Sequence, residues 1–299
     1  MSLAPVLLFV YNRPDHARRA IESLRANTLA AQSELFIYAD APARPEAAAA
    51  VAEVRALISH VEGFAAVHTV VRERNWGLAA NVIDGVTALT RRYGRVIVVE
   101  DDLVVAPYFL QFMNDALDMY ADEPRVGHIQ ACDFTQDASL PDTFLILFTG
   151  SWGWATWERA WQHFNPDGRA LLHQLQSRGL CRRFDFNGRY RFTRMLRRQI
   201  EGKNNSWAIR WNASLFLAGI LSLNVGRSLV RNTGFDGSGT HSRAGDPYAS
   251  QLYMQRLPVV RIEPIEENMQ ARQAFERYYA RTNSFWARAR RRLKQLLTF

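Results

Sequence analysis

Three consecutive carboxylates, Glu100, Asp101 and Asp102, follow directly on the apolar run Val96-Ile97-Val98-Val99. Acids this close disfavour one another's ionisation unless a cation or hydrogen-bond donors compensate. A hard divalent cation, Mg2+ or Mn2+, takes oxygen ligands and commonly shares them with substrate phosphates, which makes it the natural partner. Such an ion would offset charge developing on a leaving diphosphate. The competing reading makes the acids a cap for the helix that Pro107 opens, although Leu103-Val104-Val105-Ala106 stand between.

The second half of the chain holds further chemistry. Ser151 to Trp157 contains three tryptophans, and Glu158 follows them. Sugar faces carry C–H groups that stack on aromatic rings, and an indole N–H can donate to a hydroxyl; packing between sheet and helix is the alternative. Glu158 would orient a hydroxyl or pair with a surface arginine. From Asn232 to His241, small and flexible residues surround Asp236, as in a loop that closes over a ligand. Seven arginines (182, 183, 189, 191, 194, 197 and 198) crowd one stretch. They read as one solvated helical face, with a phosphorylated or acidic acceptor as the other possibility.

The elements that position these groups follow from hydropathy. Pro5–Tyr11, Leu35–Tyr38, Val67–Val71, Val96–Val99, Val126–Ala131 and Phe144–Thr149 are apolar runs of strand length. Helices are expected from Pro14 or Asp15 to about Arg25, over 46–58, over 78–93, and from Pro107 to about Tyr120. Strands alternating with helices imply an α/β fold with a mostly parallel central sheet flanked by helices. Ligands in such sheets bind beyond the carboxyl ends of the strands, where Asn12, Asp40, Asn75 and the acidic triplet all fall.

The segment VVEDDLVVAPYF resembles the metal-binding segment of GT-A glycosyltransferases, particularly the N-acetylglucosaminyltransferase I type and its bacterial relatives, family 2-like sugar transferases. The resemblance runs from about residue 4 to about residue 245 and includes FVYNRPDHARRAIESL, YADAP and RNWGLAANV in order. It implies a single Rossmann-type domain that uses a nucleotide-diphosphate sugar, a UDP-sugar first, with Mn2+ or Mg2+. By position, Asp102 becomes the metal ligand, and Glu100 and Asp101 face the ribose or donor sugar. Tyr11, Asn12 and Arg13 would meet the base, and Asp40 would read base or ribose. Arg74, Asn75, Gly77, Leu78 and Asn81 would close over the nucleoside. Trp154 is the implied wall of the sugar site, Trp207 is placed with the donor-binding residues, and His241 is a second group for metal or diphosphate. An inverting transfer needs a carboxylate to take the acceptor proton. The segment around Trp207 that aligns with the base-supplying region has Asn204 and Asn205 instead, which leaves Asp236 and Glu158 as candidates, with Asp185 behind them.

The net charge of +8 points to an anionic partner. No nucleic-acid recognition motif accompanies it. Cys132 and Cys181 are unclustered, as in a reducing compartment, and no run approaches the roughly 20 apolar residues of a membrane helix. Residues 285–299 set Phe285, Leu293 and Leu296 against Arg288, Arg291 and Lys294, the pattern of an interfacial helix on anionic lipid. The organisation expected is a transferase domain over 1–255, with a nucleotide-sugar half (1–150) and an acceptor half (151–255), then a helical tail over 256–299. The combined expectation is a cytoplasmic enzyme, peripheral on the inner face of the plasma membrane, that acts on a carbohydrate or lipid-linked acceptor in bacterial surface polysaccharide or glycolipid synthesis. The rivals are a non-catalytic, degenerate transferase and a sugar nucleotidyltransferase. The latter would carry a Gly- and Lys-rich phosphate loop where this chain has Asn12-Arg13-Pro14.

Overall fold

The computed structural model describes residues 2–235 and 251–283. Asp236, His241 and residues 285–299 therefore lie outside the described residues. The first half alternates strand and helix: β1 (Val6–Val10), α1 (Pro14–Arg25), β2 (Glu34–Ala39), α2 (Ala48–Ile58), β3 (Ala66–Val71), α3 (Leu78–Tyr93) and β4 (Arg95–Glu100). Then come β5 (Leu103–Val105), α4 (Phe109–Met119), β6 (Val126–Gln130), β7 (Thr143–Ile146) and β8 (Trp154–Trp157). The second half is mainly helical: α5 (Glu158–Trp161), α6 (Gly168–Ser177), α7 (Cys181–Phe184), α8 (Phe192–Ile200) and α9 (Trp207–Ala218), followed by β9 (Leu221–Val225), β10 (Val230–Asn232) and α10 (Met269–Thr282).

Eight strands form one sheet in the order β3-β2-β1-β4-β8-β6-β9-β7. The four strands β3, β2, β1 and β4 are mutually parallel, and β8 enters antiparallel between β4 and β6. The reason the first strands read as unbroken apolar runs is visible in β1, which is buried on both faces. Val6, Leu8 and Val10 join the core layer that includes α1 and α4, while Leu7 and Phe9 point into the layer beneath α3 and α9. Helix α3 starts and stops where local chemistry dictates. Gly77 precedes it with φ +75°, and Gly94 ends it in the left-handed conformation, its N–H donating to the Thr90 carbonyl.

Two elements depart from expectation. Leu103–Val105, read as a spacer, is a strand that pairs antiparallel with β10 in a small second sheet. The tryptophan-rich segment contains a central strand, β8, rather than an irregular wall. Residues expected in a separate tail are continuous with the body: Leu257, Ile265, Phe275, Tyr278 and Tyr279 bury their side chains in the same core layer as β1. No helix among the described residues is long and apolar enough to cross a membrane.

Candidate functional site

The parallel strands β1 to β4 end on one edge of the sheet, and the segment preceding the antiparallel β8 returns to it, because Val98 of β4 pairs with Trp154. A cavity of about 1220 Å³ opens there. One wall consists of Arg13, Gly77, Leu78, Glu100 and Asp102, and Trp152 and Trp207 also line the cavity.

Arg13 organises the acids. Its Nη2 donates to Asp101 Oδ1 at 2.5 Å and to Asp102 Oδ2 at 3.2 Å. Burial works against charge on this guanidinium, yet Asp101 and Asp102 outweigh it and raise its pKa. One positive charge does not satisfy three acids. Desolvation first, then Asp102 and Asp101, hold Glu100 well above the usual carboxylate range. Burial also pushes Asp101 up to about 6 despite Arg13. A strap closes over the triplet from the other side. Thr233 donates from both its N–H (2.7 Å) and its hydroxyl (3.0 Å) to the Asp102 carbonyl, and Oγ1 lies 3.1 Å from His16 Nδ1. The next residue must be glycine, since a Cβ at Gly234 would sit 2.5 Å from Asp102 Oδ2.

The loop before α3 is built by Asp40, which is buried. Its Oδ1 accepts from the N–H groups of Ala41 and Trp76, both at 2.9 Å. Its Oδ2 accepts from Gly77 N at 2.8 Å and Asn75 Nδ2 at 3.1 Å. These four bonds fill the acceptor capacity of a carboxylate. Asp40 thus shapes the loop and is not free to read a base directly, which corrects the expectation. Asn81 is likewise buried, accepting from Arg72 Nε and donating to the Gly77 carbonyl. Gly77 and Leu78 face the cavity, and a Cβ at Gly77 would meet no atom within 4 Å, which leaves its backbone open to a ligand. Tyr11, Asn12, Arg74 and Asn75 stand at the same edge, outside the cavity lining; the Tyr11 hydroxyl accepts from Ala43 N at 2.9 Å.

Four expectations about the second half fail. Trp154 is fully buried; it stacks on Trp207 at 5.1 Å and on His128 at 5.3 Å, so it is core and not a sugar wall. The tryptophan of this segment that reaches the cavity is its neighbour but one, Trp152, packed edge-on against Phe235 at 5.7 Å. Strand alternation does not separate the two, since positions two apart would share a face; Trp152 lies before β8, and Gly153 between them turns the chain at φ +63°. Glu158 cannot act at this site. It follows β8 at the opposite edge of the sheet, where its N–H donates to Gly94 and it borders a small pocket with Thr87 and Arg91. Asp185 is also occupied, accepting from Thr193 N (2.7 Å) and Oγ1 (2.6 Å) at the start of α8. The arginine run, finally, is not one helix face. It divides between α7, a turn and α8, and Arg189, Arg191, Arg194 and Arg198 line the cavity.

An acidic pair beside a glycine-opened loop at the carboxyl edge of a parallel sheet is the geometry expected for a nucleotide diphosphate. The model of glycosyl transferase family 2 matches residues 6–200. The chain belongs to glycosyl transferase family 2. No curated protein sequence matches the chain. Among solved structures, this family 2 chain is similar to a mannosyltransferase from Pyrobaculum calidifontis in complex with GDP-Man and Mn2+. The identity is 14%, over 57% of this chain and 46% of that one, with a TM-score of 0.37. It is also similar to S. aureus TarS, with 13% identity over 55% of this chain and 30% of that one and a TM-score of 0.39. A third is the glucosyl-3-phosphoglycerate synthase from Mycobacterium tuberculosis in complex with Mn2+, UDP and glucosyl-3-phosphoglycerate. There the identity is 14% over 60% and 67% of the two chains, and the TM-score is 0.36. The chain thus spans less than half the length of the first two.

The donor set of this family 2 site can be weighed against a divalent metal. Among the described residues, no group of three or more histidines, cysteines and acids is arranged to hold one. Glu100 and Asp102 nevertheless offer carboxylate oxygens to the cavity, with Arg13 compensating only part of the charge. That fits an ion carried by one or two carboxylates together with diphosphate oxygens and water, as Mg2+ and Mn2+ commonly are.

Proposed function

We propose that the chain transfers a sugar from a nucleotide-diphosphate sugar to a carbohydrate or lipid-linked acceptor, in a metal-dependent and inverting reaction. The observation that carries this reading is the convergence of Arg13, Glu100, Asp102 and the Gly77–Leu78 backbone on one cavity. Asp102, with Glu100 beside it, would hold Mn2+ or Mg2+. When bound, the ion supplies positive charge against the leaving diphosphate. The protein's own part is positioning. Arg13 keeps the acids aligned and stands ready to contact phosphate oxygens. Asp40 holds the Asn75–Gly77 loop over the nucleoside, and Leu78 covers its apolar side. Trp152 and Trp207 would bound the sugars.

The base is proposed to be Asp236, one residue beyond Phe235 of the cavity lining, and His241 is the proposed additional metal or diphosphate contact. A UDP-linked hexose or N-acetylhexosamine is the proposed donor. The proposed setting is bacterial surface polysaccharide or glycolipid synthesis at the cytoplasmic face of the membrane, with residues 285–299 on anionic lipid. A second reading, a non-catalytic binder of nucleotide sugars, is favoured by one observation: Glu100 and Asp102 are the only acids among the described residues that line the cavity.

Calorimetry with a panel of nucleotide-diphosphate sugars and Mn2+, repeated on Asp102→Ala, tests the donor site. Metal-dependent binding that disappears in the variant supports it, and a failure of every nucleotide to bind with metal present refutes it. A transfer or hydrolysis assay then separates the enzyme from the binder.

A further inference from the structure

The arginine wall of the cavity has no task in the reading above. Arg189, Arg191, Arg194 and Arg198 all line it, and none makes a salt bridge to an acid among the described residues. Their neighbours in sequence behave differently: Arg183 pairs with Glu267 at 2.9 Å and is tied into the body. Positions 191, 194 and 198 follow the spacing that puts side chains on one face of a helix, the face that α8 turns to the cavity.

This wall is held in place by packing. Phe186, Asn187 and Gly188 adopt positive φ in succession (48°, 55° and 80°). Two non-glycine residues in that region are costly and persist only where the surroundings enforce them. Here Phe186 is buried and stacked on Phe275 at 5.9 Å, and Asn187 donates to Glu276 at 2.7 Å. The chain therefore leaves the core at Gly188, and the following residues line the cavity. Tyr190, against Tyr279 at 4.7 Å, packs that exit.

The cavity, at about 1220 Å³, exceeds the roughly 300–1,000 Å³ usual for a single ligand. Its carboxylate wall is suited to a donor diphosphate through a metal, and its opposite wall carries four guanidinium groups that make no salt bridge among the described residues. Guanidinium forks match phosphate oxygens in pairs, and those without a salt bridge gain most from an anion. We propose that this wall is the acceptor subsite and that the acceptor carries a phosphate or diphosphate group, which the arginines grip while Trp152 and Trp207 flank its sugar. The proposal rests on the transferase reading for the name acceptor; the anion site itself does not.

The test separates the two. Inorganic pyrophosphate is titrated by calorimetry into the full chain in EDTA, which removes metal-dependent binding from the readout. The expected result is binding that weakens by roughly ten- to a hundredfold in Arg191→Gln/Arg194→Gln. Binding of nucleotide with Mn2+ is expected to be unchanged in that variant, which also reports that it folds. Two further arms identify the source of the phosphate: glucose 1-phosphate in solution, and farnesyl diphosphate in phosphatidylcholine vesicles. Arginine-dependent binding of either supports the proposal and names its source. No pyrophosphate binding, equal binding by the variant, or loss of nucleotide and pyrophosphate together would overturn it, the last by assigning the arginines to the donor. A failure of nucleotide to bind the wild-type chain while pyrophosphate still depends on the arginines would refute the transferase reading and leave the anion site standing.

Discussion

The two charged walls of the cavity are built on opposite principles. The carboxylate wall is partly paired: Arg13 spans Asp101 and Asp102, and Thr233 binds the Asp102 carbonyl. The arginine wall has no salt bridge among the described residues and rests on α8 and the segment that leads into it from a left-handed turn. A ligand at the first wall must replace existing partners, so its affinity is a difference between two sets of contacts. At the second it adds ion pairs where the described residues make none. The first wall should therefore be selective and the second permissive.

That contrast can be broken in several ways. The largest effect is expected for Asp102→Ala, which should weaken metal-dependent nucleotide binding on the order of a hundredfold or more and leave metal-free pyrophosphate binding intact. Parallel loss of both would mean one wall, not two; paired calorimetric titrations decide it. Next come two tryptophans two positions apart, Trp154 in the core and Trp152 on the cavity. Trp154→Ala should cost about 3–5 kcal/mol of stability, whereas Trp152→Ala should cost about 1 kcal/mol or less and act on binding instead. Chemical denaturation beside ligand titration reads both. Asp40→Ala removes the acceptor of four bonds and should reduce nucleotide affinity by roughly tenfold through a loosened 75–77 loop. Accelerated amide exchange at Trp76 and Gly77 is the accompanying signature.

A smaller and graded effect lies in the floor beneath the cavity. His128 is buried, and burial drives its pKa down to about 3 from 6.5. The unfolded chain then binds a proton that the folded chain refuses. Stability is therefore complete above pH 6.5 and falls as the pH drops towards 3, by up to about 1.4 kcal/mol per pH unit from this residue. Urea unfolding between pH 7 and 4 should show the slope, and His128→Gln should flatten it. The smallest effect belongs to Glu158→Gln, at the far edge of the sheet. Turnover and both binding reactions should stay within about twofold of wild type, as expected for a surface change remote from both walls.

How far the sequence foretold this depends on the kind of signal. The apolar runs of β1, β2 and β4 and the glycine-bounded helix α3 were legible because strands buried on both faces leave little ambiguity. The ligand edge followed from their order. What the sequence did not disclose was β8. A four-residue strand rich in tryptophan looks like a binding motif when its partners are unknown, and only its antiparallel insertion beside β4 reveals that Trp154 points into the core and that Glu158 emerges at the wrong edge. Asp40 was found but its role was not, because the Asn75–Gly77 loop that saturates it lies 35 to 37 positions away. The division of the arginines failed for a similar reason: nothing local announces that Phe186 is anchored under α10 and breaks the helix.

The buried tryptophans carry one more consequence. Trp154, Trp161, Trp207 and Trp211 lie with ring centroids 4.9–6.5 Å apart, in fixed and mostly tilted pairs. Indoles so close and so rigidly oriented couple their electronic transitions, and the protein should carry an exciton couplet in its circular dichroism. Trp152, outside that array and on the cavity wall, should report ligand by fluorescence quenching. The molecule thus contains two optical channels, one for the integrity of its core and one for the occupancy of its site.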